Sequence, residues 1–238
     1  MDNRLYKSLS NNKYFLVGFF TIISIYLFID KILGLSNWGV IHKVLLFDNS
    51  VTSRELILNS VFPLFSFYQN LGFPLLAESQ AGIFEPFKLI FNIFFGSLNH
   101  INLTFFFRLV VLYSSLYILL NHVYKISHQT SFLTSLLAIF SPIIWNDSVH
   151  HFHLGSFYLL PLSIYFVEKY LCNSEYKKYV IAGSLVVLLQ LLSGHFHYQL
   201  ICLVILSIYC FVAVILLKPI KKKIVFLLNY FFFQYQFF

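Results

Sequence analysis

Long apolar runs, separated by short turns that carry most of the lysines, recur along this chain and leave it few ways to fold. They extend roughly over Tyr14–Leu33, Leu98–Leu120, Thr130–Trp145, Leu154–Leu171, Tyr179–Ser193 and Tyr198–Leu217, and an incomplete run covers 224–238. A helix needs about 20 apolar residues to cross the hydrocarbon core of a bilayer. Only 11% of the residues are charged, against about 25% in a soluble domain. The expected class is all-α: a polytopic transmembrane helical bundle forming one domain over 1–238, with 34–97 as a long first extracytoplasmic loop.

The basic residues set the threading. Arg4, Lys7 and Lys13 precede the first run, with no small-residue cleavage site after it, so it reads as an uncleaved anchor with a cytoplasmic N-terminus. Alternate crossing then puts Lys125, Lys169, Lys177, Lys178, Lys218, Lys221, Lys222 and Lys223 on the cytoplasmic side. The net charge of +7 is thus loop anchoring, and no nucleic-acid partner is expected. Membrane lipid is. Cys172, Cys202 and Cys210 have no metal or disulfide spacing and read as small buried hydrophobes.

That threading sorts the titratable groups. Seven of the nine histidines and six of the nine acidic residues fall outside. The turn Trp145–His153 carries Asp147, His150, His151 and His153, and the turn Gly194–Tyr198 carries His195 and His197. The long loop adds Asp48, Glu55, Glu78, Gln80 and Glu85. Three readings of this face stand side by side. It is a polar substrate site, in which histidines bind phosphate or sugar hydroxyls and a carboxylate acts as base. It is a transition-metal site, a divalent ion being the one cofactor the residue types allow, although no HExxH-like helical spacing is present. Or the imidazoles and aromatic rings are anchors at the lipid headgroups.

Arg108 stands inside an apolar run, where a charge calls for a partner or a ligand unless it snorkels to the interface. Glu168, next to Lys169, reads as anchoring at an inner helix end. The Asn102-Leu-Thr104 and Asn146-Asp-Ser148 sequons read as chance. Phe87–Phe95 is too short to span and is expected to be an interfacial or re-entrant helix.

The stretch Phe62-Pro-Leu-Phe-Ser-Phe-Tyr-Gln-Asn-Leu-Gly-Phe-Pro-Leu-Leu-Ala-Glu-Ser-Gln-Ala-Gly-Ile-Phe-Glu-Pro86 resembles the first outer loop of the YfhO-like bacterial membrane proteins. These belong with the GT-C class of integral membrane glycosyltransferases. The family pattern runs approximately PLWNPY, GxPLxA and QxGxFYP. Gly72, Pro74, Leu75, Ala77, Gln80, Gly82, Phe84 and Pro86 match it. Phe65 stands where Trp is usual and Glu85 where Tyr is usual. The His150–His153 turn before a span containing Pro161, and Gln190-Leu-Leu-Ser-Gly-His195, also look like the family.

The resemblance implies a GT-C-like fold in a bacterial cytoplasmic membrane. It implies transfer of a sugar from a polyprenyl-phosphate carrier to an envelope acceptor. Asp48 best matches the family's catalytic acid. Glu78, Gln80, Glu85, Arg108, His150, His151, His153, His195 and His197 are the candidate substrate-binding residues. A transporter or flippase for a lipid-linked sugar and a metal-binding membrane protein are the alternatives. Family members are longer, so the chain is expected to be an N-terminal part, truncated within its last apolar run and inactive alone.

Overall fold

The structure, a computed structural model, describes residues 18, 19, 22, 26, 50–62, 64–65, 82–141, 152–172, 176–193 and 196–217. The described residues of the first apolar run, at 18, 19, 22 and 26, are helical, and Phe19 packs its ring 6.3 Å from that of Phe132. We label the helices that follow α1 (50–58), α2 (Pro86–Ile118), α3 (His128–Ile139), α4 (Phe152–Phe157), α5 (Leu160–Cys172), α6 (Tyr176–Leu192) and α7 (Phe196–Leu217). Among the described residues there is no strand.

Two stretches, His100–Val123 and Phe196–Ala213, are long and apolar enough to cross a membrane. The 22 residues of α7 reach about 33 Å at 1.5 Å per residue, close to the roughly 30 Å of a hydrocarbon core. One side of α7 is uncovered: Leu200, Val204, Ile208, Phe211 and Ile215 recur every three or four residues and are all exposed, which is the spacing of a single helix face.

Several elements depart from the boundaries expected above. Residues 50–58, inside the stretch expected as outer loop, form a helix. It is tied to α2 by the Asn92 amide, which donates to the Ser50 carbonyl at 2.7 Å, and by Ser50 Oγ against His100 Nε2 at 3.0 Å. The short helix expected over Phe87–Phe95 is present as Pro86–Gly96: the backbone breaks at Gly96 (φ 78°, ψ 164°), so that α2 is two helices joined at a kink, and only the second is long enough to span. That backbone conformation is open essentially to glycine alone, so Gly96 sets where the short first helix ends and the spanning one begins.

The far end of α2 widens into a π-turn over Leu119–Val123. The chain leaves it through Lys125 in the left-handed region, φ 57°. The Asn121 amide donates to the Ile126 carbonyl at 3.0 Å and satisfies the exit. Helix α3 starts where Ser127 caps it, its Oγ accepting from the Thr130 N–H at 3.2 Å. It ends at Ile139, with Phe140 and Ser141 already in a turn, short of the run expected to Trp145; residues 142–145 lie outside the described residues.

The run expected over Leu154–Leu171 is two helices. Pro161 has no N–H to donate and its ring crowds the carbonyl four residues back, so the chain turns through Tyr158 and Leu159 between α4 and α5. The carbonyls near the break find side-chain donors instead. Ser193 Oγ donates to Gly155 O at 2.7 Å, Gln190 Nε2 to Ser156 O at 2.9 Å, and Cys202 Sγ to Ser156 O at 3.4 Å. Those donors come from the end of α6 and the start of α7. The helix break therefore fastens α4, α6 and α7 together at one end of the bundle.

The core has two parts. Phe105, Leu109, Tyr113, Ile139, Leu154 and Tyr158 fill the space between α2, α3 and α4. Leu171, Leu206, Cys210 and Ala213 close α5 against α7. Cys202 and Cys210 are buried and form no disulfide.

Candidate functional site: a buried carboxylate–guanidinium cluster

Gly82 begins the site. Its φ of 53° is a left-handed conformation that suits glycine, and the turn is closed by the Glu85 N–H donating to Gly82 O at 3.2 Å. Ile83 is buried beneath it, and Phe84 stacks on Phe62 with centroids 5.6 Å apart. Pro86 then opens α2 with the φ a first turn wants. The motif residues Gly82, Phe84 and Pro86 thus fix one thing between them: the direction of Glu85.

Glu85 is the N-cap residue of α2, yet its side chain makes no capping bond. It reaches Arg108, which lies beyond the break at Gly96. Oε1 accepts from Nε at 3.3 Å and Oε2 from Nη2, an ion pair with both side chains buried. The Tyr158 hydroxyl donates to Oε1 at 3.0 Å, and the Arg108 guanidinium carbon lies 5.8 Å from the centre of the Tyr158 ring. Behind the guanidinium is Gly155. A β-carbon there would stand 2.9 Å from Nη1 and 3.1 Å from Cζ. Only a residue without a side chain lets the cation lie against the backbone of α4.

Lys88 is one turn into α2 and also buried. Burial, and then the charge of Arg108, lower its pKa to about 8, with Glu85 pulling the other way. Among the described residues the cluster holds two cations and one carboxylate.

A second polar cluster sits at the opposite end of the bundle. Tyr209 on α7 donates to Glu168 on α5, and the Tyr124 and Tyr209 hydroxyls are 2.9 Å apart. This corrects the reading of Glu168 as an anchor: its carboxylate is buried and held by a partner from another helix. Tyr124 is 16 residues beyond Arg108, about 24 Å along a helix. Helices α2, α5 and α7 therefore run in one direction, and α6 returns against them with Ser193 beside Gly155.

Of the residues marked in the sequence, the structure brings Glu85 and Arg108 together. Arg108 has a protein partner and is turned into the bundle, not toward its surface. His197 is exposed at the start of α7, its ring 6.1 Å from that of Phe196. His153 lies in α4, its side chain outside the description. Asp48, Glu78, Gln80, His150, His151 and His195 lie outside the described residues. Among the described residues no three His, Cys, Asp or Glu side chains gather as metal ligands. Asn102 of the first sequon is buried in α2. Sequence reasoning missed Tyr158, Gly155 and Lys88. Gly155, the one glycine in its apolar run, was the only available signal.

Set beside protein-family models, curated proteins and solved structures, the chain has no match in any of the three comparisons.

Two expectations follow from this geometry. Gly155→Ala adds a β-carbon where the guanidinium sits, and a crowded core substitution costs about 1–3 kcal/mol. In an Arg108→Ala background the same change meets no cation and should instead recover up to about 1 kcal/mol of helix propensity. Thermal unfolding of the four proteins measures that reversal of sign. The second concerns pH. Lys88 has its folded pKa near 8, below the ordinary 10.5. Below pH 8 it is charged in both states, and the folded protein bears the whole burial cost. Stability should rise as pH climbs from about 8 toward 10.5, by on the order of 3 kcal/mol. Lys88→Met should remove that rise from the unfolding profile.

Proposed function

We propose that the chain is a polytopic protein of a bacterial cytoplasmic membrane. In this reading it works as a GT-C-like glycosyltransferase, moving a sugar from a polyprenyl-phosphate carrier to an envelope acceptor. The observation that carries the reading is the loop pattern from Phe62 to Pro86, whose last turn aims Glu85 at a buried cation. A charge at that depth marks a functional position in a membrane protein. The threading has separate support. Tyr124 and Glu168, each beside a lysine, meet at the end of the bundle opposite Glu85, Arg108 and Ser193. The lysine rule would divide the same segments that way. The uncovered face of α7 suits lipid.

In this mechanism Asp48 is the base. It takes the proton of the acceptor hydroxyl while that oxygen bonds to the anomeric carbon. The bond from that carbon to the carrier phosphate breaks, and the phosphate leaves with the electron pair. In this reading Arg108 and Lys88 are the cations that stabilise the charge growing on the leaving phosphate. The histidines of the two turns and Glu78 and Gln80 bind the sugar and phosphate oxygens.

A second reading, a flippase for the lipid-linked sugar, is favoured by one observation. Buried polar groups continue inward from the cluster through Gln190 and Ser163 to Glu168. Retained lipid-linked sugar with no transferred product separates it from the first.

Single cysteines replacing Lys125 and His197 in a cysteine-free background should react with an impermeant maleimide from opposite sides of the membrane; reaction from one side removes the threading. Membranes carrying the protein should transfer labelled sugar from polyprenyl phosphate to envelope polymer. Asp48→Asn should lower that transfer by about 10²–10⁴-fold, the usual worth of a general base. Unchanged transfer takes Asp48 out of the mechanism.

A further inference from the structure

Four large apolar side chains stand bare where α1 ends. Leu58, Val61, Phe62 and Leu64 are between 49% and 66% exposed, within the stretch expected as an outer loop. Contacts at the two ends of this segment fix its height against the bundle. At the start, Ser50 Oγ bonds His100, and the Ser50 carbonyl takes the Asn92 amide. Past the end, Phe62 stacks on Phe84, and Glu85 beside it pairs with Arg108. The first helix of α2 doubles back along the second, which brings the ring of Phe87 within 4.4 Å of that of Phe107. His100 and Arg108 are eight residues apart, about 12 Å of helix, and so are Ser50 and Leu58. Helix α1 therefore descends beside α2, and its bare end is level with Arg108. His100–Val123 is long enough to cross a membrane. A hydrocarbon core of roughly 30 Å, counted back from Val123, ends near Leu103. The end of α1 is then about 7 Å inside that core.

The backbone at that level makes few demands on water. Ser60 takes the left-handed conformation, φ 60°, with which helices commonly end. The final carbonyls of α1 are met from within. Glu55 O accepts from the Asn59 N–H at 3.1 Å and from its side-chain amide at 2.9 Å, Leu56 O from the Val61 N–H at 2.7 Å, and Ile57 O from the Ser60 N–H at 2.9 Å. The Leu64 N–H donates to Phe62 O at 2.8 Å, and Pro63 has no N–H to place. Hydrocarbon requires backbone groups to be paired inside the protein.

We propose that the segment from Leu58 to Leu64 is seated in the outer leaflet, with these four side chains covered by lipid acyl chains. This rests on the reading of the chain as a membrane protein and is independent of sugar transfer. The charged residues of α1, Arg54 and Glu55, form an ion pair at 3.8 Å. They come one turn before the apolar end, at the level of the headgroups, where long charged side chains keep their tips in water. The same partner explains the uncovered face of α7. Part of the long loop is thereby held in the membrane, and the Phe62–Pro86 stretch starts from lipid rather than from water.

The experiment uses the full chain in vesicles, with lipid brominated on its acyl chains as the probe. The two native tryptophans are removed as Trp38→Phe and Trp145→Phe. One tryptophan is then introduced, as Phe62→Trp or as Ile208→Trp on the uncovered face of α7. Bromine quenches only an indole in contact with the acyl region. Both variants should lose most of their emission in brominated vesicles, and neither should respond to acrylamide in the water. Wild-type protein provides a reading that no substitution can disturb. A lipid bearing a photoactivated diazirine in its acyl chain should leave adducts on Leu58–Leu64 as well as on α7, as read by mass spectrometry. Suppose Ile208→Trp is quenched by lipid. Quenching of Phe62→Trp by acrylamide instead, or by neither agent, then overturns the proposal: water in the first case, and another part of the chain in the second, covers the patch. Adducts on α7 with none on Leu58–Leu64 overturn it too. If Ile208→Trp also escapes the brominated lipid, the membrane reading itself fails.

Discussion

A guanidinium cannot be left alone in an apolar interior. Moving an ion of this size out of water costs several kcal/mol even after the protein relaxes, and Arg108 is set among Phe105, Leu109 and Leu112. Much of the architecture near that end answers this constraint. The turn Gly82–Phe84 delivers a carboxylate. Tyr158 supplies a hydroxyl to it and an aromatic face to the cation. Gly155 withholds a side chain. These residues come from the entry to α2, from α4 and from the turn after it, so one ion pair decides how three segments meet. Removing one partner of such a pair typically costs 3–5 kcal/mol, a large part of what any fold has to spare.

Beside its hydrophobic core the bundle buries many small polar side chains, while one face of α7 is apolar and exposed. Serines are buried at 115, 131, 135, 156, 163 and 193, with Gln190 and Gln199, while large hydrophobic side chains line the outside of α7. In lipid there is no hydrophobic drive between helices, and small residues with inter-helix hydrogen bonds hold them instead. The donors to the Gly155 and Ser156 carbonyls are of this kind. Each satisfies a carbonyl that the break at Pro161 had freed, which in hydrocarbon would be costly to leave unpaired. The same bonds that repair a helix therefore position α6 and α7.

How far the sequence reveals this differs from residue to residue. The helices were legible because the apolar runs are long, and Arg108 was marked because a charge in such a run has few explanations. Glu85 was also marked, but as a loop residue facing a substrate. Nothing in its spacing says that a carboxylate 23 positions away folds back against the helix that carries Arg108, because that depends on the angle at Gly96 and the turn at Gly82. Helix α1 was missed for a related reason. Its polar and apolar residues alternate without a clear period, and what holds it is tertiary: the Asn92 amide and the His100 ring on a distant segment. Glu168 was misread because its neighbour Lys169 supplies a ready local explanation. Its true partner, Tyr209, is 41 residues on and indistinguishable in sequence from the other tyrosines.

Glu85 is also one of the two positions, with Phe65, at which the loop departs from the pattern it resembles; a tyrosine is usual there. Taken alone, an acid in place of an aromatic residue weakens the likeness. Set against Arg108 it has a physical reason. A tyrosine there would bring a hydroxyl but no charge, and the guanidinium would have to find its counter-ion elsewhere or leave the interior. In this chain the Tyr158 hydroxyl supplies the phenol and Glu85 the charge, on the same two oxygens. The departure and the buried cation therefore explain one another. A residue that looks like drift in the loop is the one that Arg108 requires.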